Sequence, residues 1–252
     1  MSIKDQKYLF ANWKMYLDFD ESNILANALA GEAKNFSPNI KMAIFPSALS
    51  FYNVSQVLHD VGICVGAQNV YWTEKGGYTG EISAQMYKSA GADYVLVGHS
   101  ERRHLFHETN HDVRQKIEAA LAVGLTPVVC VGETAEEKNN NQTEEVLETQ
   151  LRAGFHNLSW PEKIKLIIAY EPVWAIGTNN ACEPIKAEKK HELIKKMTTK
   201  LVPGVDPIIL YGGSVGAENV SDYLKNPNID GVLVGGSSAK LDSWMGIVDK
   251  VE

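Results

Sequence analysis

Short apolar runs recur along the chain, separated by longer stretches with helical spacing. Eight runs have the length and composition of strands: Tyr8–Trp13, Met42–Phe45, Ile63–Ala67, Tyr94–Val97, Thr126–Val131, Leu166–Tyr170, Ile208–Tyr211 and Gly231–Val234. Most are apolar at consecutive positions, the pattern of strands buried on both faces. Between them, Val113, Ile117, Ala120 and Leu121 line one helical face after a Thr109-x-x-Asp112 start signal, and Gly124 marks the stop. Leu193, Ile194, Met197 and Leu201 do the same behind Pro184, and Ile24, Leu25, Ala28 and Leu29 form an earlier face. Eight strand–helix alternations predict an α/β fold with a parallel sheet. At this length the simplest closure is a (β/α)8 barrel of eight parallel strands surrounded by helices, with a doubly wound open sheet as the alternative. No Pro- or Ser-rich linker divides the chain, so residues 1–252 read as one domain. The polar stretch Ala135–Glu145 reads as a solvated loop and helix start.

The 252 residues are 44% hydrophobic and 22% charged, with a formal net charge of −7, which argues against a nucleic-acid partner but permits a locally positive site for an anion. The charged N-terminus does not read as a signal peptide, and no run of about 18 apolar residues is present to cross a membrane. Cys64, Cys130 and Cys182 form neither an even disulfide framework nor a CxxC pair, which favours reduced thiols and a cytoplasmic setting.

The most informative stretch runs from Leu166 to Thr178. A buried strand ends at one carboxylate, Glu171; Pro172 stops the pairing, and an apolar loop of Val173, Trp174, Ala175 and Ile176 leads to Gly177. An apolar loop beside a strand-end carboxylate suggests a lid, and a carboxylate shielded from water becomes a stronger base. A structural ion pair is the competing reading.

Other strand ends add to the set. The first finishes Asn12-Trp13-Lys14, where a lysine could neutralise an anionic substrate or simply face solvent. The fourth finishes Gly98-His99-Ser100, with Ser100 able to start the next helix and His99 near its positive end, either as a donor to a developing oxyanion or as a loop cap. The last two end in Gly212-Gly213-Ser214 and Gly235-Gly236-Ser237, turns whose main-chain N–H groups could cradle a phosphate. His104, His107 and His111 have helical spacing and could suggest a zinc face; nearby Arg102, Arg103 and Arg114 favour a solvated helix surface instead. Cys130 reads as core packing.

Asn12-Trp13-Lys14, Gly66–Asn69, Gly77–Glu81, Gly98–Arg103, Ala169–Thr178, Tyr211–Val215 and Gly235-Gly236 together resemble the triosephosphate isomerase family across nearly the whole chain. The resemblance implies a TIM barrel that interconverts dihydroxyacetone phosphate and D-glyceraldehyde 3-phosphate through an enediolate, in glycolysis and gluconeogenesis, with no cofactor and no metal. It implies Glu171 as the base, His99 as the neutral imidazole at the carbonyl, and Asn12 and Lys14 assisting. The phosphate would rest on Gly177, Ser214, Gly235 and Gly236. It further implies a homodimer through the Trp72–Glu81 loop, with Thr79 supporting Asn12 or Lys14 across the interface and Arg102 and Glu81 as partners in that contact. Two departures stand out: Asn179-Asn180-Ala181-Cys182 after the lid, expected to affect only its motion, and Ser237 and Ala239 after the last glycine pair, expected to cause minor repacking. Another phosphosugar enzyme on the same barrel and a non-catalytic scaffold are the alternatives.

Overall fold

The structure, a computed structural model, describes residues 6–177 and 181–251. Strands and helices follow one another as β1 (Lys7–Asn12), α1 (Phe19–Glu32), β2 (Ile40–Phe45), α2 (Phe51–His59), β3 (Cys64–Ala67), α3 (Ala84–Ser89), β4 (Tyr94–Val97), α4 (Ser100–Leu105), α5 (Asn110–Ala122), β5 (Thr126–Val131), α6 (Ala135–Asn139), α7 (Thr143–Phe155), β6 (Ile167–Tyr170), α8 (Pro184–Leu201), β7 (Ile208–Tyr211), α9 (Val220–Leu224), β8 (Gly231–Val234) and α10 (Leu241–Val248). Each strand lies parallel to its neighbours, and β8 returns to pair with β1 from Tyr8↔Gly231 to Ala11↔Val234, closing a barrel. Closure leaves no sheet edge and excludes the open alternative.

The consecutive apolar positions now have a cause. Tyr8 and Phe10 of β1, Phe45, Tyr94, Leu96, Ile167, Ala169 and Leu210 fill the barrel interior. Their alternates Leu9, Ala11, Ile168 and Ile209 pack outward beneath the helices. Every strand is therefore coated on both faces, and its one polar outlet is its C-terminal end.

Several expectations shift in detail. β2 begins at Ile40, because Ile40 and the charged Lys41 pair with Lys7 and Tyr8. In α1 the Asp18–Glu21 capping box sets the start, and the buried stripe is Ser22, Leu25, Ala26 and Leu29, leaving Ile24 70% exposed. In α8 the buried stripe is Ala187, His191, Ile194 and Thr198, with Leu193, Met197 and Leu201 only partly covered. The expected capping box of α5 is present, Thr109 and Asp112 satisfying each other's backbone N–H. The three histidines do not share a helix face. His104 belongs to α4, His107 to the connection in a left-handed conformation (φ 55°), and His111 to α5.

Candidate active site

The C-terminal strand ends open on a cavity of about 360 Å³, and Asn12, Lys14, His99, Glu171, Gly177, Ser214, Gly235 and Gly236 all line it. That volume suits a small ligand.

Asn12 is buried at the end of β1, and its Oδ1 accepts the Lys14 N–H at 3.0 Å. This bond holds the turn that places Lys14 at φ 48°, a conformation a non-glycine residue occupies only when its surroundings hold it there. Gln68 pins the same turn, its amide donating to the carbonyls of Lys14 (2.8 Å) and Phe45 (2.9 Å). The Lys14 ammonium, thus directed inward, meets Glu101 Oε1 at 2.7 Å. Its Cε passes 3.2 Å from the point a Cβ on Gly235 would occupy, so a glycine there leaves the lysine its path.

Glu171 follows β6 and extends its ladder by one bond, its N–H donating to the Val131 carbonyl at 2.8 Å. Its buried carboxylate accepts the Ser100 N–H on Oε2 at 2.8 Å, and Oε1 lies 3.1 Å from His99 Nε2. His99, not Ser100, caps α4: its Nδ1 accepts the Glu101 N–H at 3.3 Å. A backbone N–H can only donate, so Nδ1 carries the lone pair and Nε2 the proton, giving a neutral ring whose one N–H faces Glu171 and the cavity. The loop bearing His99 is braced from behind. Gly98 turns at φ 74°, Glu108 accepts its N–H at 3.0 Å, and Arg103 Nε donates to its carbonyl at 2.8 Å. Glu108 is itself paired with Arg102 (2.7 Å) and with the buried Lys116. Cys130 lies inside the barrel near Glu171; burial, then that charge, pushes its thiol well above the ordinary range, so it is an inert packing group.

The apolar segment after Glu171 forms a short turn at Val173–Ala175. Trp174 donates its indole N–H to Glu133 Oε1 at 2.9 Å, the Tyr170 hydroxyl donates to the same carboxylate at 3.2 Å, and the Val173 N–H reaches the Glu133 carbonyl at 3.0 Å. Lys138 places its ammonium 3.1 Å from the centre of the Trp174 ring. The Ser214 hydroxyl donates to the Ala175 carbonyl at 2.6 Å, so the segment is tied to the turn after β7 as well. Across the cavity, no group among the described residues accepts a hydrogen bond from the N–H groups of Gly213, Ser214, Gly235 or Gly236. Four such donors beside one ammonium make an anion-binding wall. The same ammonium opposes a dication.

Three acidic residues were not singled out from the sequence. Glu133 stands after β5 just as Glu171 stands after β6, so the strand-end rule applied to Cys130's strand would have found it. Glu101 shows its role only when Lys14, 87 positions away, arrives beside it. Glu108 follows α4 in an otherwise exposed connection and gives no local signal. The Asn179 departure lies outside the described residues.

The family model described as triosephosphate isomerase matches residues 7–251. The chain is 42% identical over 239 residues to the triosephosphate isomerase of Endomicrobium trichonymphae, covering 94% of this chain and 95% of that one. It is 40% identical over 246 residues to the protein of that name from Dictyoglomus thermophilum (96% and 98%) and 38% identical over 254 residues to that of Chlamydia muridarum (99% and 93%).

Proposed function

The chain belongs to the triosephosphate isomerase family, and from that membership we propose that the cavity interconverts dihydroxyacetone phosphate and D-glyceraldehyde 3-phosphate with Glu171 as the proton carrier. The reaction is a step of glycolysis and gluconeogenesis. One observation carries the reading: a buried carboxylate and a neutral imidazole N–H face each other at 3.1 Å, opposite a wall of unpartnered backbone donors and Lys14.

The phosphate sits on the glycine turns, near Ser214, Gly235, Gly236 and the N–H of Gly177, with Lys14 neutralising part of its charge. Glu171 removes a proton from the carbon next to the carbonyl and returns it to the neighbouring carbon. The charge that develops on oxygen meets the His99 Nε2–H and the Lys14 ammonium, with Asn12 fixing the turn that aims the lysine. A neutral donor suits this task, because its proton is shared without being surrendered. Both Glu171 oxygens are engaged by Ser100 and His99, so substrate replaces those contacts as the carboxylate turns toward it. Closure of the Pro172–Gly177 lid lifts Trp174 from Glu133 and expels water, which strengthens every polar contact on the enediolate.

A homodimer completes the reading. Met15 and Phe106 line a second hollow of about 360 Å³ behind Asn12, Lys14 and His99, and both are largely exposed, at 94% and 65%. The Trp72–Glu81 loop carries a stacked Tyr71–Trp72 pair and an exposed Tyr78, the apolar material such a hollow would receive from a second copy. Thr79 then supports Asn12 and Lys14 across the interface. Glu81 meets Arg102 there through the guanidinium nitrogens, since Arg102 Nε serves Glu108 within its own chain. The three free thiols fit a cytoplasmic setting.

Glu171→Asp tests the role of the base. It withdraws the carboxylate by one methylene, and a coupled assay should show kcat falling by about 100-fold with KM little changed. Wild-type turnover would refute the assignment.

A further inference from the structure

We propose that Tyr223 is a positioning residue for this reaction: with Tyr211 it locks both polar groups of Cys182, tying the chain beyond the lid to the glycine turn that binds phosphate. The inference rests on the lid and phosphate assignments above. Tyr211 ends β7 immediately before Gly212-Gly213-Ser214, and Tyr223 reaches it from α9. Both rings are fully buried and stacked, with centroids 4.1 Å apart and planes 19° from parallel.

Their hydroxyls close a circuit on one backbone residue. The Cys182 N–H donates to the Tyr211 hydroxyl at 3.2 Å, and the Tyr223 hydroxyl donates to the Cys182 carbonyl at 2.5 Å. The two hydroxyls are 3.3 Å apart. Tyr223 has spent its single hydrogen on the shorter bond, so Tyr211 supplies the hydrogen between them. Each of the three donors is used once, a ring in which every bond polarises the next. The same Tyr211 hydroxyl lies 2.2 Å from the point a Cβ on Gly213 would occupy, so it bears on the phosphate turn as well. Phenylalanine or leucine at 223 could fill the space but could not answer the Cys182 carbonyl. The leading residues of the lid hang on a separate set of contacts at Glu133, which makes the ring an independent anchor at the other end.

Tyr223→Phe removes the hydroxyl and keeps the stacked ring. Amide hydrogen exchange at Cys182, measured without ligand, should accelerate about five-fold or more, the factor expected for one lost hydrogen bond of ordinary net strength. Exchange at Ile209 and Tyr170 in the barrel should not move. kcat/KM should fall by a similar factor, and Tyr223→Phe combined with Tyr211→Phe should cost little more than Tyr211→Phe alone, because the two hydroxyls act through one ring. Unchanged exchange, additive losses, or faster exchange with unaltered kinetics would overturn the proposal. If the variants fail to fold, the wild-type Cys182 amide still decides: protected exchange supports the ring, and exchange at the open-chain rate overturns it. None of the exchange readings depends on Glu171 being the base, so the two assignments can fail separately.

Discussion

Replacing Gly212 by alanine would put a methyl carbon 2.9 Å from Cγ of Glu171 and 3.3 Å from the carbonyl oxygen of Tyr170. Carbon atoms in comfortable contact stand about 3.5–4.0 Å apart, so the glutamate has to retreat by about 0.6–1 Å. The backbone raises no objection, since Gly212 is not among the glycines with positive φ, and its N–H keeps its bond to the Tyr170 carbonyl at 2.8 Å. The glutamate has little room to yield: its carboxylate is fixed by Ser100 and His99, and its carbonyl oxygen is crowded by Gly132, where a Cβ would come within 1.8 Å. A misplacement of about 1 Å at a reacting group can cost about 100-fold, or roughly 2.7 kcal/mol of barrier. The expected result for Gly212→Ala in a coupled assay is a kcat about 100-fold lower. KM should stay within about three-fold, because Lys14 and the Gly235-Gly236 turn are untouched. A variant with wild-type kcat, or one that loses affinity while keeping its turnover number, would refute the reasoning.

Two further outcomes follow from groups outside the chemistry. Burial drives the imidazole of His191 down to about 3 from the usual 6.5, and its Nδ1 lies 3.3 Å from the Asn228 carbonyl. The unfolded chain gains a proton on this residue below about pH 6.5 while the folded one refuses it. The associated stability is therefore complete above that pH and is lost as pH falls toward 3, at about 1.4 kcal/mol per unit. Urea unfolding between pH 7 and 4.5 should fall less steeply for His191→Gln than for the wild type, and parallel slopes would contradict the shift. Lys138→Met removes the ammonium from the face of Trp174, an attraction of about 0.5–1 kcal/mol at an exposed site. Weakening the docked lid favours the closed one, so a phosphate-bearing enediolate mimic should bind about two- to five-fold more tightly; weaker binding would show that Lys138 does not hold the lid back.

The barrel was legible because a closed parallel sheet hides both faces of every strand, and runs such as Val128–Val131 and Leu166–Tyr170 carry no polar residue to obscure them. Glu171, His99 and Lys14 stood out for the complementary reason: each interrupts such a run at its C-terminal end. The structure brings them into one cavity, with the glycine turns opposite. What stayed hidden depends on partners distant in sequence. Glu101 acquires its role from Lys14, and Glu133 from the indole that folds onto it. Helix faces were less readable than strands. Ile24 fits the apolar spacing, yet the capping box at Asp18 sets a phase that leaves it outside. His191 and Thr198 look like surface residues but lie in the core stripe of α8. The histidine series 104, 107 and 111 keeps helical spacing across a chain that is not one helix, because the left-handed turn at His107 separates α4 from α5.

The most direct test of the central claim is a crystal structure with a phosphate-bearing enediolate mimic bound. The expected complex has the Glu171 carboxylate released from the Ser100 N–H and within hydrogen-bond reach, about 2.6–3.2 Å, of the two-carbon enediolate portion, with His99 Nε2 on its oxygen and the phosphate against the glycine turns. A complex in which Glu171 keeps its contacts to Ser100 and His99 while the mimic occupies the cavity would contradict it.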